Sequence, residues 1–505
     1  SALRGDLETG PYAVGFRVLY RMDNSRSYFP QSAIDRGASR GRPIRIMVWY
    51  PARKMRAALP MRFSDYVMVE PTDSRFAAWN KTRQARDLQT TRNQFAQPDS
   101  APLVDKLMSA RVAAFLNAPT AKGSFPLLMH SVGLNDHQAA STVLWEYLAS
   151  YGYVIATVPQ LGADLLKPRL AFTAADIRVQ CEDLQFAMAE MFSFPNVDAG
   201  RVALMGHSAG AVVAFLIAEK NKNVDAVVSL DGSINTEDGR AVLDAAGFDA
   251  SRFRASLLNI YRANDTHALD FKVNSLRYAD RYNIAVDPQI THFDFGNWPM
   301  YSIFTDVEDP RGKSFRSSQV ARQFHLNMCR RVLAFLEDTF KAARIDDSIK
   351  EKLPFQEGMK FSFQEGIKIP RADDLAEMLI SGEAEKARKL FESARARYPQ
   401  EAIIEETSFN NLAGQLLQLK KTAEAIAVFQ LNVEAHPSSP AAHLGLAEAY
   451  RQGGQKEAAI LEYEKAIRAA DEGENAKSPS MERIRQSAVK RLSELKPPTD
   501  GRKLF

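Results

Sequence analysis

The pentapeptide Gly-His-Ser-Ala-Gly at residues 206–210 constrains the fold more than any other feature, because of what lies on either side of it. An apolar, strand-like run at 202–205 precedes it, and small helix-forming residues follow at 211–219. A strand, a tight turn and a helix in this order are the setting of a nucleophile elbow, which holds a serine in a strained backbone conformation. The sequence therefore predicts that Ser208 is a nucleophile. The alternative is a structural turn that happens to match the pattern.

Composition argues against several classes of protein. The chain has 505 residues, with 65 Lys and Arg against 61 Asp and Glu, and it has no dense basic patch interleaved with aromatic residues. Nucleic acid is therefore not an expected partner. The sequence contains neither a run of about 18 apolar residues nor the basic and apolar regions of a signal peptide. It starts without Met, which fits an exported chain with its leader removed or a cytoplasmic one.

The cysteines predict no disulfide and no metal site. Cys181 and Cys329 are far apart in the chain, and each lies within a segment of helical pattern. This favours two buried free thiols over a disulfide. Neither belongs to a CxxC motif or a cluster of metal ligands, and we expect no metal and no organic cofactor.

Up to about residue 340, short apolar runs alternate with helical patterns, which predicts an α/β fold with a parallel sheet covered on both faces. Strands are predicted at 45–50, 125–129, 153–158, 202–205, 224–230 and 257–261, and helices at 139–150, 174–192 and 319–342. The polar, helix-prone segment 62–116 is interpreted as a helical insertion that forms one wall of the substrate site. The first domain is predicted to span residues 1–342.

Residues 343–372 are predicted to form a linker. Phe-Gln-Glu-Gly occurs there at 355–358 and again at 363–366, a repeat that favours a small hairpin.

Beyond the linker, Ala, Glu, Lys, Arg and Leu dominate, and a longer period appears. Two sets of residues recur: Ala387, Phe391 and Pro399 as Ala425, Phe429 and Pro437, and Leu412, Leu416, Ala425 and Phe429 as Leu446, Tyr450, Ala459 and Tyr463. This pattern resembles the tetratricopeptide repeat, a 34-residue helical hairpin that stacks on its neighbours. The first offset is 38 rather than 34 residues, which predicts about four extra residues near 401–407. The resemblance implies an all-α helical-repeat domain at 373–496 that ends in a capping helix, 481–495; the alternative is an unrelated bundle of three hairpins.

A serine nucleophile needs a histidine base, and on sheets that carry such an elbow the chain order is serine, acid, histidine. Of the histidines that follow Ser208 in the first domain, His325 lies in the predicted closing helix and His267 follows the strand at 257–261 too closely. His292 lies where a loop after the last strand would present a base, and it is the predicted general base.

Two acids compete to orient this base. Asp231 ends the apolar run at 224–230 and would emerge at the carboxyl edge of the sheet, one strand after the elbow. Asp265 would emerge one strand later. Spacing alone does not separate them.

Four stretches together resemble the platelet-activating-factor acetylhydrolase and dienelactone-hydrolase-like branch of the α/β-hydrolases: 126–134, 148–154, the elbow, and Leu-Asp-Gly at 230–232. The resemblance covers roughly residues 10–340 and implies a doubly wound, mostly parallel sheet. It favours Asp231, which lies 23 residues after the serine, and leaves Asp265 as the reserve acid. A dienelactone hydrolase proper has a cysteine nucleophile, which this chain lacks at position 208.

The resemblance also implies an oxyanion hole made by the backbone N–H groups of Leu134 and Ala209. Where relatives commonly have His-Gly, this chain has Val132-Gly133, a change that backbone donors would survive.

The leading hypothesis is a serine esterase acting on a small or lipid-like ester, with Ser208, His292 and Asp231 as its catalytic triad. The repeats would serve a protein partner or self-association. The alternatives are a serine peptidase or amidase on the same triad, and a non-catalytic scaffold that works through the repeats.

Overall fold

The computed structural model describes residues 2–29, 31–35, 40–55, 58–69, 101–164, 166–263, 271–286, 289–305, 318–341, 359–473 and 476–496. The chain divides into two compact units, Ser1–Gly366 and Ile367–Phe505. The first is built around one sheet, and the described part of the second is helical.

The strands of the first unit are β1 Ala13–Asp23, β2 Arg42–Ala52, β3 Ala114–Leu116, β4 Phe125–Ser131, β5 Val154–Thr157, β6 Val197–His207, β7 Ala226–Leu230, β8 Ser256–Arg262, β9 Arg281–Val286 and β10 Lys360–Gln364. Its helices are α1 Gln31–Ile34, α2 Phe63–Val67, α3 Ala101–Ser109, α4 Thr142–Ser150, α5 Ala174–Met191, α6 Ala209–Lys220, α7 Glu237–Ala245, α8 Phe271–Asn274, α9 Trp298–Thr305 and α10 Ser318–Lys341. Short 3₁₀ turns occur at Ala2–Arg4, Ser233–Asn235, Ala250–Arg252 and His292–Phe295.

All these strands form one sheet in the order β10-β9-β8-β7-β6-β4-β5-β2-β1-β3. The six strands β5, β4, β6, β7, β8 and β9 run parallel to one another. On one side β2 runs antiparallel to β5 and to β1, and on the other β10 runs antiparallel to β9. Alternate residues of each central strand enter separate apolar clusters, as Met205 and Leu204 of β6 do. This period of two is expected of strands covered by helices on both faces. The unit has the α/β-hydrolase fold that the sequence predicted.

Each of the six predicted strands overlaps a strand of the sheet, but the sequence analysis missed four others. Of these, β9 contains Arg281 and Asn283, two polar residues that are nevertheless buried. Arg281 donates to the carbonyl oxygens of Val273 and Asn274, and Asn283 accepts from the side chain of Asn259. Hydrogen bonds to other segments of the fold therefore accompany these buried polar residues, where an apolar run would have predicted a strand.

Both edges of the sheet differ from the sequence interpretation. The helical insertion predicted at 62–116 contains α2 and α3, but its last residues form β3, which pairs with β1; residues 70–100 lie outside the described part. In the predicted linker, Lys360–Gln364 pairs antiparallel with β9. The other half of the predicted hairpin, 355–358, lies outside the described part. Phe363 packs on Tyr282 of β9 with ring centroids 4.7 Å apart, so the apolar side of this strand has a partner in the sheet.

The helices of the second unit are α11 Ala372–Ile380, α12 Ala384–Arg397, α13 Glu406–Gln418, α14 Thr422–Ala435, α15 Pro440–Gln452, α16 Lys456–Glu472 and α17 Pro479–Leu495. They pair as hairpins, and successive hairpins pack together. A Cβ on Gly445 of α15 would lie 2.2 Å from the Phe429 ring of α14, so these two helices approach closely. The connection at 398–405 is four residues longer than the one at 436–439, where the sequence predicted about four extra residues.

Cys181 and Cys329 are buried and unpaired, in agreement with the sequence prediction. No described helix combines the length and apolar character that crossing a membrane would require.

Candidate active site

The turn between β6 and α6 has the strained geometry of a nucleophile elbow. Ser208 has φ 56° and ψ −126°, a conformation that residues other than glycine rarely adopt. β6 presents this turn at the carboxyl edge of the sheet, between β4 and β7. Because the strand, the turn and the helix follow without interruption, Ser208 is held where the strand ends.

The glycines of the pentapeptide are required by close backbone contacts. A Cβ on Gly206 would lie 2.3 Å from the backbone nitrogen of Ala211, and one on Gly210 would lie 2.0 Å from the carbonyl oxygen of Ser131. Both distances are far below a normal van der Waals contact. The pattern in the sequence therefore reflects steric limits imposed by α6 itself and by the end of β4.

Backbone hydrogen bonds tie the elbow to the end of β7. The Ser208 N–H donates to the Leu230 carbonyl at 3.2 Å, and the Ser233 N–H donates to the Ser208 carbonyl at 2.9 Å. Asp231 lies between these two contacts in the chain. The elbow and the predicted acid are thus held at adjacent points of one sheet edge.

Asp231 is fully buried, and three groups donate to its carboxylate. Oδ2 accepts from Nδ1 of His292 and from Nε of Arg262, each at 2.6 Å, and Oδ1 accepts from the backbone N–H of Arg262 at 3.0 Å. Burial alone would raise the pKa of Asp231, but the His292 hydrogen bond and the Arg262 charge outweigh it and hold the pKa well below its ordinary value. The carboxylate is therefore ionised at neutral pH.

His292 begins the 3₁₀ turn after β9, and its ring lies against the residue that precedes the serine. The rings of His292 and His207 stack with centroids 4.6 Å apart. Nε2 of His207 donates to the His292 carbonyl at 3.1 Å. Burial, and then the neighbouring His292, lower the pKa of His207 to about 3, so His207 is neutral and supports the loop as a hydrogen-bond donor.

Further contacts hold the loop that carries His292. The Asp294 side chain accepts from both the backbone N–H and the hydroxyl of Thr291, and Nδ1 of the buried His325 donates to the Asp294 carbonyl at 3.1 Å. The buried side chain of Asn297 donates to the Ala139 carbonyl and to the Thr142 hydroxyl. The loop is therefore fixed to α10 and to the start of α4.

The predicted oxyanion donors lie on either side of the elbow. A Cβ on Gly133 would lie 3.5 Å from the Cβ of Ser208 and 3.2 Å from Nδ1 of His207, so the loop after β4 passes directly against Ser208. Leu134 follows Gly133, and Ala209 is the first residue of α6. Within the described part of the chain, the backbone N–H groups of Leu134 and Ala209 donate no hydrogen bond.

Not every candidate from the sequence falls in this group. Asp265 and His267 lie outside the described residues. His325 is buried, as a packing residue would be. His436 and His443 hydrogen-bond within the second unit, to the Ile404 carbonyl and to the Glu462 carboxylate respectively.

After His292 in the chain, Phe295 and Tyr301 are buried in the core.

Two residues of the site were not singled out from the sequence: Arg262 and His207. Asp231 follows β7, and Arg262 is the last residue of the parallel neighbour β8. Leu230 pairs with Ile260, and this register brings the two side chains together. The only sequence signal for Arg262 is its position: it is a charged residue at the end of the first strand after the candidate acid. In the described part of the chain, no three His, Cys, Asp or Glu side chains form a group suited to a metal ion.

Comparisons with known proteins cover part of this site. A protein-family model described as Chlorophyllase matches residues 95–239. This segment contains Leu134, Ser208 and Asp231 and ends before His292. No curated protein matches the chain.

Among solved structures, a ferulic acid esterase from Streptomyces cinnamoneus is similar, with 18% sequence identity and a TM-score of 0.47 over 70% of this chain and 96% of that chain.

Proposed function

We propose that the chain is a serine hydrolase that cleaves carboxylic esters through an acyl-serine intermediate. Ser208 Oγ attacks the ester carbonyl while Nε2 of His292 takes its proton. The imidazolium then returns the proton to the departing alkoxide, which leaves as an alcohol. A water molecule, activated by the same nitrogen, attacks the acyl-serine and releases a carboxylic acid.

The observation that carries this proposal is the contact of His292 with Asp231 beside the strained serine turn. The hydrogen bond of 2.6 Å directs Nδ1–H at a carboxylate, which leaves Nε2 as the basic nitrogen. The ionised carboxylate also stabilises the imidazolium formed during each step. A structural turn that merely matched the pentapeptide would need neither the buried carboxylate nor the oriented imidazole.

The backbone N–H groups of Leu134 and Ala209 are the proposed oxyanion donors. A tetrahedral intermediate carries a full negative charge on oxygen, and each donor fixed before reaction contributes roughly 3 kcal/mol. α6 begins at Ala209, so the positive end of its helix dipole favours the same charge.

The triad alone does not separate esters from amides, and the partial match to the Chlorophyllase family model favours esters. A chain-length series of p-nitrophenyl esters, assayed beside aminoacyl p-nitroanilides, tests this preference. Hydrolysis of the anilides with higher kcat/KM than that of any ester would indicate a peptidase or amidase.

The variant Ser208→Ala tests the intermediate itself. We expect it to lose all but a trace of ester hydrolysis and all labelling by a fluorophosphonate probe while it keeps the wild-type fold, since loss of a triad serine costs about 10⁶ in turnover. More than about a tenth of wild-type activity would contradict an acyl-serine mechanism.

For the second unit, we propose a tetratricopeptide-like module that binds a protein partner or a second copy of this chain. Its support is the sequence period together with the stacked helical hairpins. It contributes no residue to the proposed chemistry.

A further inference from the structure

One amide side chain holds both ends of the loop that carries the proposed oxyanion donor. Nε2 of Gln160 donates to the Val132 carbonyl at 2.7 Å, and Oε1 of Gln160 accepts from the Asn135 N–H at 2.5 Å. Gly133 and Leu134 lie between these two points. Because a primary amide donates and accepts at once, it can close the loop where an apolar or charged side chain could not.

A second amide fixes the outer end of the same loop. The Asn135 side chain donates to the Leu170 carbonyl at 2.8 Å and accepts from the Leu170 N–H at 3.0 Å. Its backbone has φ 55°, a left-handed conformation that asparagine tolerates better than most residues. These contacts fix the direction of the backbone after Leu134.

The fold explains why residues far apart in sequence meet here. β4 and β5 are parallel neighbours, so the segments that follow them leave the same edge of the sheet side by side. Gln160 follows β5, and the loop at 132–135 follows β4. This loop also passes against Ser208, as the contact of Gly133 shows.

We propose that Gln160 is a positioning residue that holds the Leu134 N–H toward the oxyanion formed at Ser208. This inference rests on the proposed function. Oxyanion donors accelerate a reaction only when they are oriented before charge develops. A side chain that keeps this loop rigid contributes to the stability of the transition state and not to binding of the neutral ester.

The test replaces Gln160 with methionine, which has a similar length and lacks the amide. We expect Gln160→Met to lower kcat by about 10–100-fold and to leave KM within about 2-fold of wild type. The inhibition constant of phenylboronic acid, which forms a tetrahedral adduct with an active-site serine, should rise by the same factor as kcat falls. Gln160→Glu keeps an acceptor for the Asn135 N–H, and we expect its kcat to lie between those of wild type and the methionine variant.

The matched control is Gln323→Met, on the exposed side of α10, which should behave as wild type in every assay. All rates are corrected for the folded fraction, measured by urea unfolding.

A wild-type kcat in both Gln160 variants would overturn the inference. So would a fall in kcat with unchanged affinity for phenylboronic acid, because a merely structural role produces that result. The Ser208→Ala experiment reports separately on the proposed function. If that variant is inactive while the Gln160 variants behave as wild type, only the positioning role is wrong.

Discussion

Arg262 donates to both carboxylate oxygens of Asp231, through Nε to Oδ2 at 2.6 Å and through its backbone N–H to Oδ1 at 3.0 Å. The oxygen that accepts from the guanidinium is also the one that accepts from His292. Asp231 therefore contacts both a guanidinium and an imidazole, and its role differs from that of a carboxylate held by backbone alone. The first two predictions test the Asp231 carboxylate and the Arg262 guanidinium separately.

Asp231→Asn should lower kcat by about 10⁴, because an amide at this position favours the wrong tautomer of His292. Asp265→Asn should have a much smaller effect. Steady-state kinetics of both variants on the same ester provides the measurement. If the two effects are reversed, Asp265 is the acid and the assignment of Asp231 fails.

Arg262→Met should lower the free energy of unfolding by about 1–3 kcal/mol at pH 7, since it removes a charged hydrogen bond to a buried carboxylate. The pKa of Asp231 is lowered in the folded state, so this stabilisation is present above the pKa of the unfolded chain, near 4, and is lost as the pH falls through the lower, folded value. Urea unfolding at pH 7 compares the loss caused by Arg262→Met in the wild-type and in the Asp231→Asn background. An equal loss in both backgrounds would mean that lost packing, and not the ion pair, accounts for the effect.

Glu146→Gln should make stability less dependent on pH. Burial raises the pKa of Glu146 to about 7, although hydrogen bonds from Tyr66 and from the Ala113 N–H act in the opposite direction. A carboxyl whose pKa is raised on folding stabilises the protein below its unfolded pKa, near 4.5, and this stabilisation is lost as the pH rises through 7.

The shift corresponds to roughly 3 kcal/mol. Urea unfolding at pH 5 and pH 8 should therefore show a larger loss for wild type than for Glu146→Gln. Equal losses in the two proteins would contradict the prediction.

A chain that ends at Gly366 should hydrolyse a small ester with nearly wild-type kcat/KM, while any partner that binds the second unit is lost. A chain that ends at Lys341, as the predicted boundary at 342 suggests, lacks β10 and its contact with Tyr282. It should melt at a lower temperature. Differential scanning calorimetry and ester assays on the two truncated chains provide the comparison. If the longer one is inactive, the second unit contributes to the hydrolytic site.

The central strands and the elbow could be predicted because apolar runs and the pentapeptide report local requirements. β6, which ends at His207 just before the serine, is an example: its apolar run 202–205 is buried on both faces of the sheet. β9 could not be predicted in the same way, since buried Arg281 and Asn283 form hydrogen bonds that depend on the finished fold.

The positions of Ser208 and His292 in chain order limited the candidate partners, whereas the roles of Arg262 and Gln160 could not be predicted. Both act across neighbouring strands, and a single sequence does not show which strands are neighbours. The choice between Asp231 and Asp265 could not be made from spacing alone, because both follow predicted strands after the elbow.

The sheet ends on both sides in short strands contributed by segments outside the regular β/α alternation. β3 has three residues and β10 has five, while β1 and β2 have eleven each. Long, unpaired edge strands are templates on which other chains add and aggregate, and short or polar edges prevent this. Of β10, Lys360, Ser362 and Gln364 are exposed, as is Phe363. We therefore expect the shortness of the two edge strands, more than their polarity, to limit self-association through the sheet, so that aggregation resistance depends on segments outside the proposed catalytic group.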